Sequence, residues 1–261
     1  MTGIGNYQYP TIIDEVCSFD WMGISGEEMA GVARAYYFFS IQFRENLTIA
    51  RGLYPHDEKL RQLDAEECDT ANLSPWPGVA AVGEKMNHDE FMRRALDLMP
   101  IDEETFQRFE KIGQGYLSET RQLDSAVRAA SIASYEDGGL ERVFKAILGY
   151  SGWDTPMLKA FEHFLAEHVR FDSDPEQGHG ALSRHIKVDD GILPLWEGFR
   201  DLLVTCVPGL LRNTTIGLAR RHELGNGFEA FADGAERLGA YSPVHETAGL
   251  VAAHDDPVRR P

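Results

Sequence analysis

Apolar residues return every three to four positions along most of the chain, the spacing of one buried helix face. Met29, Val32, Tyr36, Phe39 and Phe43 mark such a stripe over residues 26–53. Ser25-Gly-Glu-Glu28 stands at its start. A capping serine followed by acidic residues suits the partly positive end of a helix. A second helical piece is expected over 57–70. Leu73-Ser-Pro-Trp-Pro-Gly78 breaks it, because two prolines and a glycine cannot stay helical. The helical pattern resumes over 79–98, stops at Pro100 and restarts at Asp102-Glu-Glu-Thr-Phe106.

Residues 119–136 are rich in Ala and Ser, with Gly138-Gly139 just beyond. Small residues let helices approach closely, which predicts a central, tightly packed element. Helices are expected next over 139–150 and 155–171. A longer one covers 190–222, with Pro194 near its start and Pro208 as a kink. Another covers 226–240. The polar tail, 242–261, has no periodicity and reads as mobile. No strand-like alternation of useful length, internal repeat or linker interrupts 20–240. The expected fold is all-α: a single helical bundle of about seven to nine helices within residues 1–241, its core at 26–240.

Composition narrows the partners. A net charge of −17 argues against nucleic acid, whose phosphates need a basic surface. No apolar run approaches the length of a membrane span. Cys17, Cys68 and Cys206 are odd in number and far apart, which suits a reducing compartment. The opening residues lack the basic and apolar regions of a signal peptide, so the expectation is a cytoplasmic protein.

The segment from Phe161 to Leu182 carries the most chemistry. His168 and Asp172 are one helical turn apart and project from one face. On an unbroken helix His179 would lie roughly 16 Å from His168, too far to share a metal. Pro175 and Gly178 can break the helix and fold His179 back. His185 and Glu176 are its rivals. Two imidazoles and a carboxylate suit non-haem iron. Di-metal sites in helical bundles draw Glu and His from several facing helices. Glu45, Glu66 or Glu67, His88 and Glu136 are the inward candidates on the other helices. Each alone is equally well read as a solvated charge or a helix-end residue.

As an ordered set these residues resemble the haem-oxygenase-like diiron oxidases. The likeness is carried chiefly by Ala65-Glu-Glu-Cys-Asp69 and His168-Val-Arg-Phe-Asp172. It extends over about residues 30–215. The resemblance implies Glu45, Glu67, His88, Glu136, His168, Asp172 and His179 as ligands to two irons. The Pro/Trp/Pro/Gly insertion and the long gap from Asp172 to His179 depart from the family pattern.

The resemblance also implies O2 as co-substrate and an external reductant. The expected activity is oxidation of a free amino acid or similar small amine or carboxylate, by hydrogen abstraction at an unactivated carbon, in natural-product biosynthesis. N-oxygenation and oxidative C–C cleavage are alternatives, as is a metal-free helical binding protein. Tyr37, Arg44 and Arg170 are the candidate substrate contacts, the arginines because their planar fork suits a carboxylate. A homodimer is compatible with all of this.

Overall fold

The computed structural model describes residues 8–69, 75–172 and 186–214, apart from the side chains of 68, 69, 171 and 172. All three stretches fall within one compact unit. Its organising element is α2, Gly26–Leu53. The Ser25 hydroxyl accepts from the Glu28 amide, and the Glu28 carboxylate accepts from the Ser25 amide. This reciprocal capping box satisfies two backbone donors that would otherwise be orphaned. Beyond it α2 is buried on nearly every side, from Met29 to Ala50. It packs against α3 (Glu58–Asp69), α4 (His88–Asp97), α5 (Glu103–Arg121), α6 (Ser125–Ser134), α8 (Pro156–Asp172) and α9 (Leu193–Cys206). The described residues contain no strand, only an isolated bridge between Trp76 and Ala80. The all-α expectation therefore stands.

Four boundaries differ from the sequence reading, each for a local reason. Helix does not resume at residue 79. Gly78 and Gly83 adopt positive φ, which a helix cannot contain, and α4 starts only after Asn87. The Ala/Ser-rich segment does not begin at 119. The α5 helix runs on to Arg121, and Asp124 then caps α6 by accepting from the Ala126 amide. Pro208 ends α9 instead of kinking it. Val207 before it is extended, as a residue preceding proline prefers, and a 3-10 turn follows over Pro208–Leu211. Finally, a short α1 (Tyr9–Cys17) precedes the expected core and packs on α7 (Leu140–Ile147) and α9. It buries only Ile13 and Val16, too short a stripe to stand out in sequence. The expected helix at 226–240 and the tail lie outside the described residues, as does the end of the 190–222 segment.

Between α6 and α7 the chain kinks within Tyr135–Gly139, where Asp137 and Gly138 leave helical geometry and Gly138 has φ +87°. The kink ends α6 and starts α7 in a new direction, and so sets where the side chains at the break point. Here the side chain so placed is Glu136.

Candidate metal centre

Three helices deliver one donor each to a common point. Glu67 comes from α3, His88 from the first turn of α4, and His168 from α8. All three side chains are buried, and their ligand atoms lie within 4.8 Å of one another. His88 Nδ1 is 2.8 Å from Glu67 Oε2 and 3.2 Å from His168 Nε2.

The protonation pattern follows from one neighbour. His168 Nδ1 lies 2.7 Å from the Phe164 carbonyl one turn back, so this nitrogen carries the proton. The Nε2 atom is then a lone pair directed at His88. Glu67 Oε2 is a second acceptor directed at the same His88 nitrogen, which can carry one proton. Replacing that proton with a cation would engage all three lone pairs. Donor atoms bonded at about 2.1 Å around one ion stand roughly 3–3.5 Å apart, and the two separations from His88 Nδ1 are close to that. Two imidazoles and a carboxylate are the donor set that suits a redox metal such as iron. The group therefore fits a metal ion.

Packing fixes the donors. The His168 ring lies against Phe164 at 4.2 Å between centroids and against Phe144 at 5.6 Å. His88 meets Phe164 edge-on. These aromatic neighbours limit rotation of both imidazoles and keep bulk water from them.

A cavity of about 30 Å³ adjoins the cluster, lined by Glu67, His88, His168 and Glu136. That is room for about two water-sized ligands. Phe43, Leu47, Leu140 and Phe144 supply its apolar wall. Arg44 and Asp89 lie at its edge as an ion pair at 2.8 Å. Asp89, Asn87 and Ser40 also line this cavity and were not expected from the sequence. The available signal was Asp89's place directly after His88.

The remaining expectations divide. Of Glu66 and Glu67, it is Glu67 that joins the histidines, while Glu66 accepts from Gln62. Glu136 is buried in the same cavity. Glu45 is not brought to the site. It accepts three hydrogen bonds from Arg121, two of them from Nε, and one from Arg128. Hydrogen bonding from Arg121 holds its carboxyl below the usual range, despite the opposing effect of burial. Tyr37 faces a separate cleft, and burial raises its phenol above the ordinary value, with Asp89 next in effect. Arg170 is 68% exposed and paired with Glu167 on the surface. The side chain of Asp172, and His179, Glu176 and His185 entirely, lie outside the described residues.

No family model, curated protein or solved structure matches the chain. No helix among the described residues is long and apolar enough to cross a membrane. Cys17 and Cys206 are free thiols. Burial pushes the Cys206 thiol up to about 12.

Proposed function

We propose that this protein is an O2-dependent non-haem diiron oxidase. Its substrate is a free amino acid or a similar small amine or carboxylate, oxidised by hydrogen abstraction at an unactivated carbon. The observation that carries the reading is the convergence of Glu67, His88 and His168 on one buried point. Glu136 beside them, with Asp172 and His179 by resemblance, would complete the ligands of a second ion. Iron held there would supply the redox chemistry that reduces dioxygen, with electrons from an external reductant.

The chain's own residues account for the rest. The Phe164 carbonyl fixes the His168 tautomer, so that Nε2 stays available as a ligand. Glu67 and Glu136 offset the charge of bound cations. The wall of Phe43, Leu47, Leu140 and Phe144 limits how much water the cavity holds, which would restrict side reactions of an oxidant formed there. Arg44, at the cavity edge, is placed to take a substrate carboxylate in bidentate fashion.

The test is an anaerobic Fe(II) titration of the metal-free protein, followed by O2 and a panel of amino acids. Uptake of about two irons per chain and a product two mass units lighter are expected. A product sixteen units heavier with the oxygen on nitrogen would shift the reading to N-oxygenation. A chain that takes up no iron would overturn it altogether.

A further inference from the structure

The α2 helix has a second functional-looking side. Tyr36 and Ser40 line the metal-site cavity, whereas Arg34, Tyr37 and Phe38 line a larger cleft against α4 and α5. Its volume is about 530 Å³, within the roughly 300–1,000 Å³ of small-molecule sites. Phe106 and Phe109 on α5 face it, and Phe106 is 44% exposed.

Arg34 is the decisive residue. Its side chain is buried, with 8% exposure. Its Nη2 donates to the Met99 carbonyl at 2.9 Å, and its guanidinium lies 5.9 Å from the Phe109 ring centroid. Among the described residues no carboxylate ion-pairs with it. A guanidinium has five N–H donors, of which the Met99 bond uses one, and the nearby Asp97 favours its charged form without hydrogen-bonding to it. Arg93, the other cation of the cleft, is already bound to Glu90 and Asp97. The cleft therefore offers a planar, desolvated donor fork beside an aromatic lining. That combination is complementary to a carboxylate attached to an aromatic body. Asp97, Glu103 and Glu110 also line the cleft and oppose a ligand anion anywhere but at Arg34, which limits the ligand to one carboxylate.

We infer that this cleft is a binding site for a small aromatic monocarboxylate, its carboxylate on Arg34 and its ring among Phe38, Phe106 and Phe109. The site is separate from the metal cluster and does not depend on metal.

Titration calorimetry on the metal-free full-length protein with 3-phenylpropanoate tests this. Saturable binding of one ligand per chain is expected. The uncharged 3-phenylpropanol and the diacid 4-(2-carboxyethyl)benzoate should each bind at least about tenfold more weakly, about 1.4 kcal/mol. Arg34→Met should weaken 3-phenylpropanoate at least tenfold, and Arg34→Lys by less. Because Arg34 also holds the Met99 carbonyl, Phe106→Glu provides an independent variant at a half-exposed position. It should weaken the acid to a similar degree while the circular-dichroism melt stays unchanged. Absence of binding, equal binding of the acid and the alcohol, or undiminished binding by folded Arg34→Met and Phe106→Glu proteins would each overturn the assignment. None of these results depends on iron, so the metal-centre proposal is tested separately.

Discussion

His168 Nε2 lies 3.2 Å from His88 Nδ1, although eighty positions separate the two residues along the chain. One proton on His88 Nδ1 can serve either the His168 nitrogen or the Glu67 carboxylate, not both fully. With Glu67 Oε2 only 2.8 Å from the same His88 nitrogen, the arrangement favours a shared cation. The fold holds them there through α3, α4 and α8, which all pack on α2.

Removing one donor should therefore abolish tight metal binding and leave the fold. His168→Ala and Glu67→Ala should each lower Fe(II) affinity by about a hundredfold or more, since even partners of a ligand are worth 10–100-fold. The bundle is held by its apolar core, so unfolding free energy should change by no more than about 2 kcal/mol. Metal analysis after dialysis, with urea melts of the same samples, checks both. Retained iron in a destabilised His168→Ala protein would make His168 a packing residue.

Glu45 should behave in the opposite way. It bridges half-exposed Arg121 and buried Arg128, and Arg128 also donates to Asn46. Glu45→Gln should leave iron binding unchanged and cost about 1–3 kcal/mol, because a buried guanidinium loses its counter-charge. The sign of the pH dependence follows from the depressed carboxyl, held down first by the Arg121 hydrogen bonds. Its contribution is complete above the unfolded value of about 4.5. It is lost as pH falls through the lower folded value, where the carboxylate is protonated. The stability gap between wild type and Glu45→Gln should thus be full at pH 7 and shrink below about pH 4.5. A gap independent of pH would contradict the ion-pair account.

The kink between α6 and α7 gives a third expectation. Gly138 has φ +87° with open space where a Cβ would sit, so Gly138→Ala should cost about 1 kcal/mol from backbone conformation alone. Asn, which tolerates this region better, should cost less. Gly139 differs: a Cβ there would lie 2.5 Å from the Ser134 carbonyl oxygen and 2.8 Å from the Trp196 ring. Gly139→Ala should cost up to about 3 kcal/mol and displace Glu136. Thermal melts rank the three variants. Iron stoichiometry should fall for Gly139→Ala in particular.

How much of this is legible in the sequence depends on the helix concerned. His168 stands out by its one-turn spacing from Asp172, the Glu66–Glu67 pair is legible only as a pair, and the capping signals at Ser25 and Asp102 mark true helix starts. Glu45 and Tyr37 both lie on α2. This helix is buried nearly all round, so its apolar pattern sets no phase and cannot say which side meets the site. Relative to the cavity-lining Tyr36, Ser40, Phe43 and Leu47, Glu45 is roughly 170° around the helix at about 100° per residue. The start of α4 was hidden for another reason. Residues 79–87 carry apolar and charged positions compatible with a helix, and only the positive φ of Gly78 and Gly83 excludes it. Asp89 was passed over because its role comes from Arg44, 45 positions away in sequence.

The Arg44–Asp89 pair yields the last expectation. One Asp89 oxygen is held by Arg44 at 2.8 Å. The other is buried without a hydrogen-bond partner among the described residues. Such an oxygen is costly to leave unmade and is well suited to an incoming ammonium. Arg44, 43% exposed at the cavity edge, can turn its fork to a carboxylate while Asp89 receives the amine. Arg44→Met should therefore raise KM for an amino-acid substrate by about 10–100-fold, the order of one charge-assisted hydrogen bond, with little change in kcat. Asp89→Asn should raise KM for the amino acid more than for the same acid lacking its amine. Iron stoichiometry should be unaffected in both variants. A fall in kcat at constant KM would instead place the pair in support of His88, immediately before Asp89 in α4.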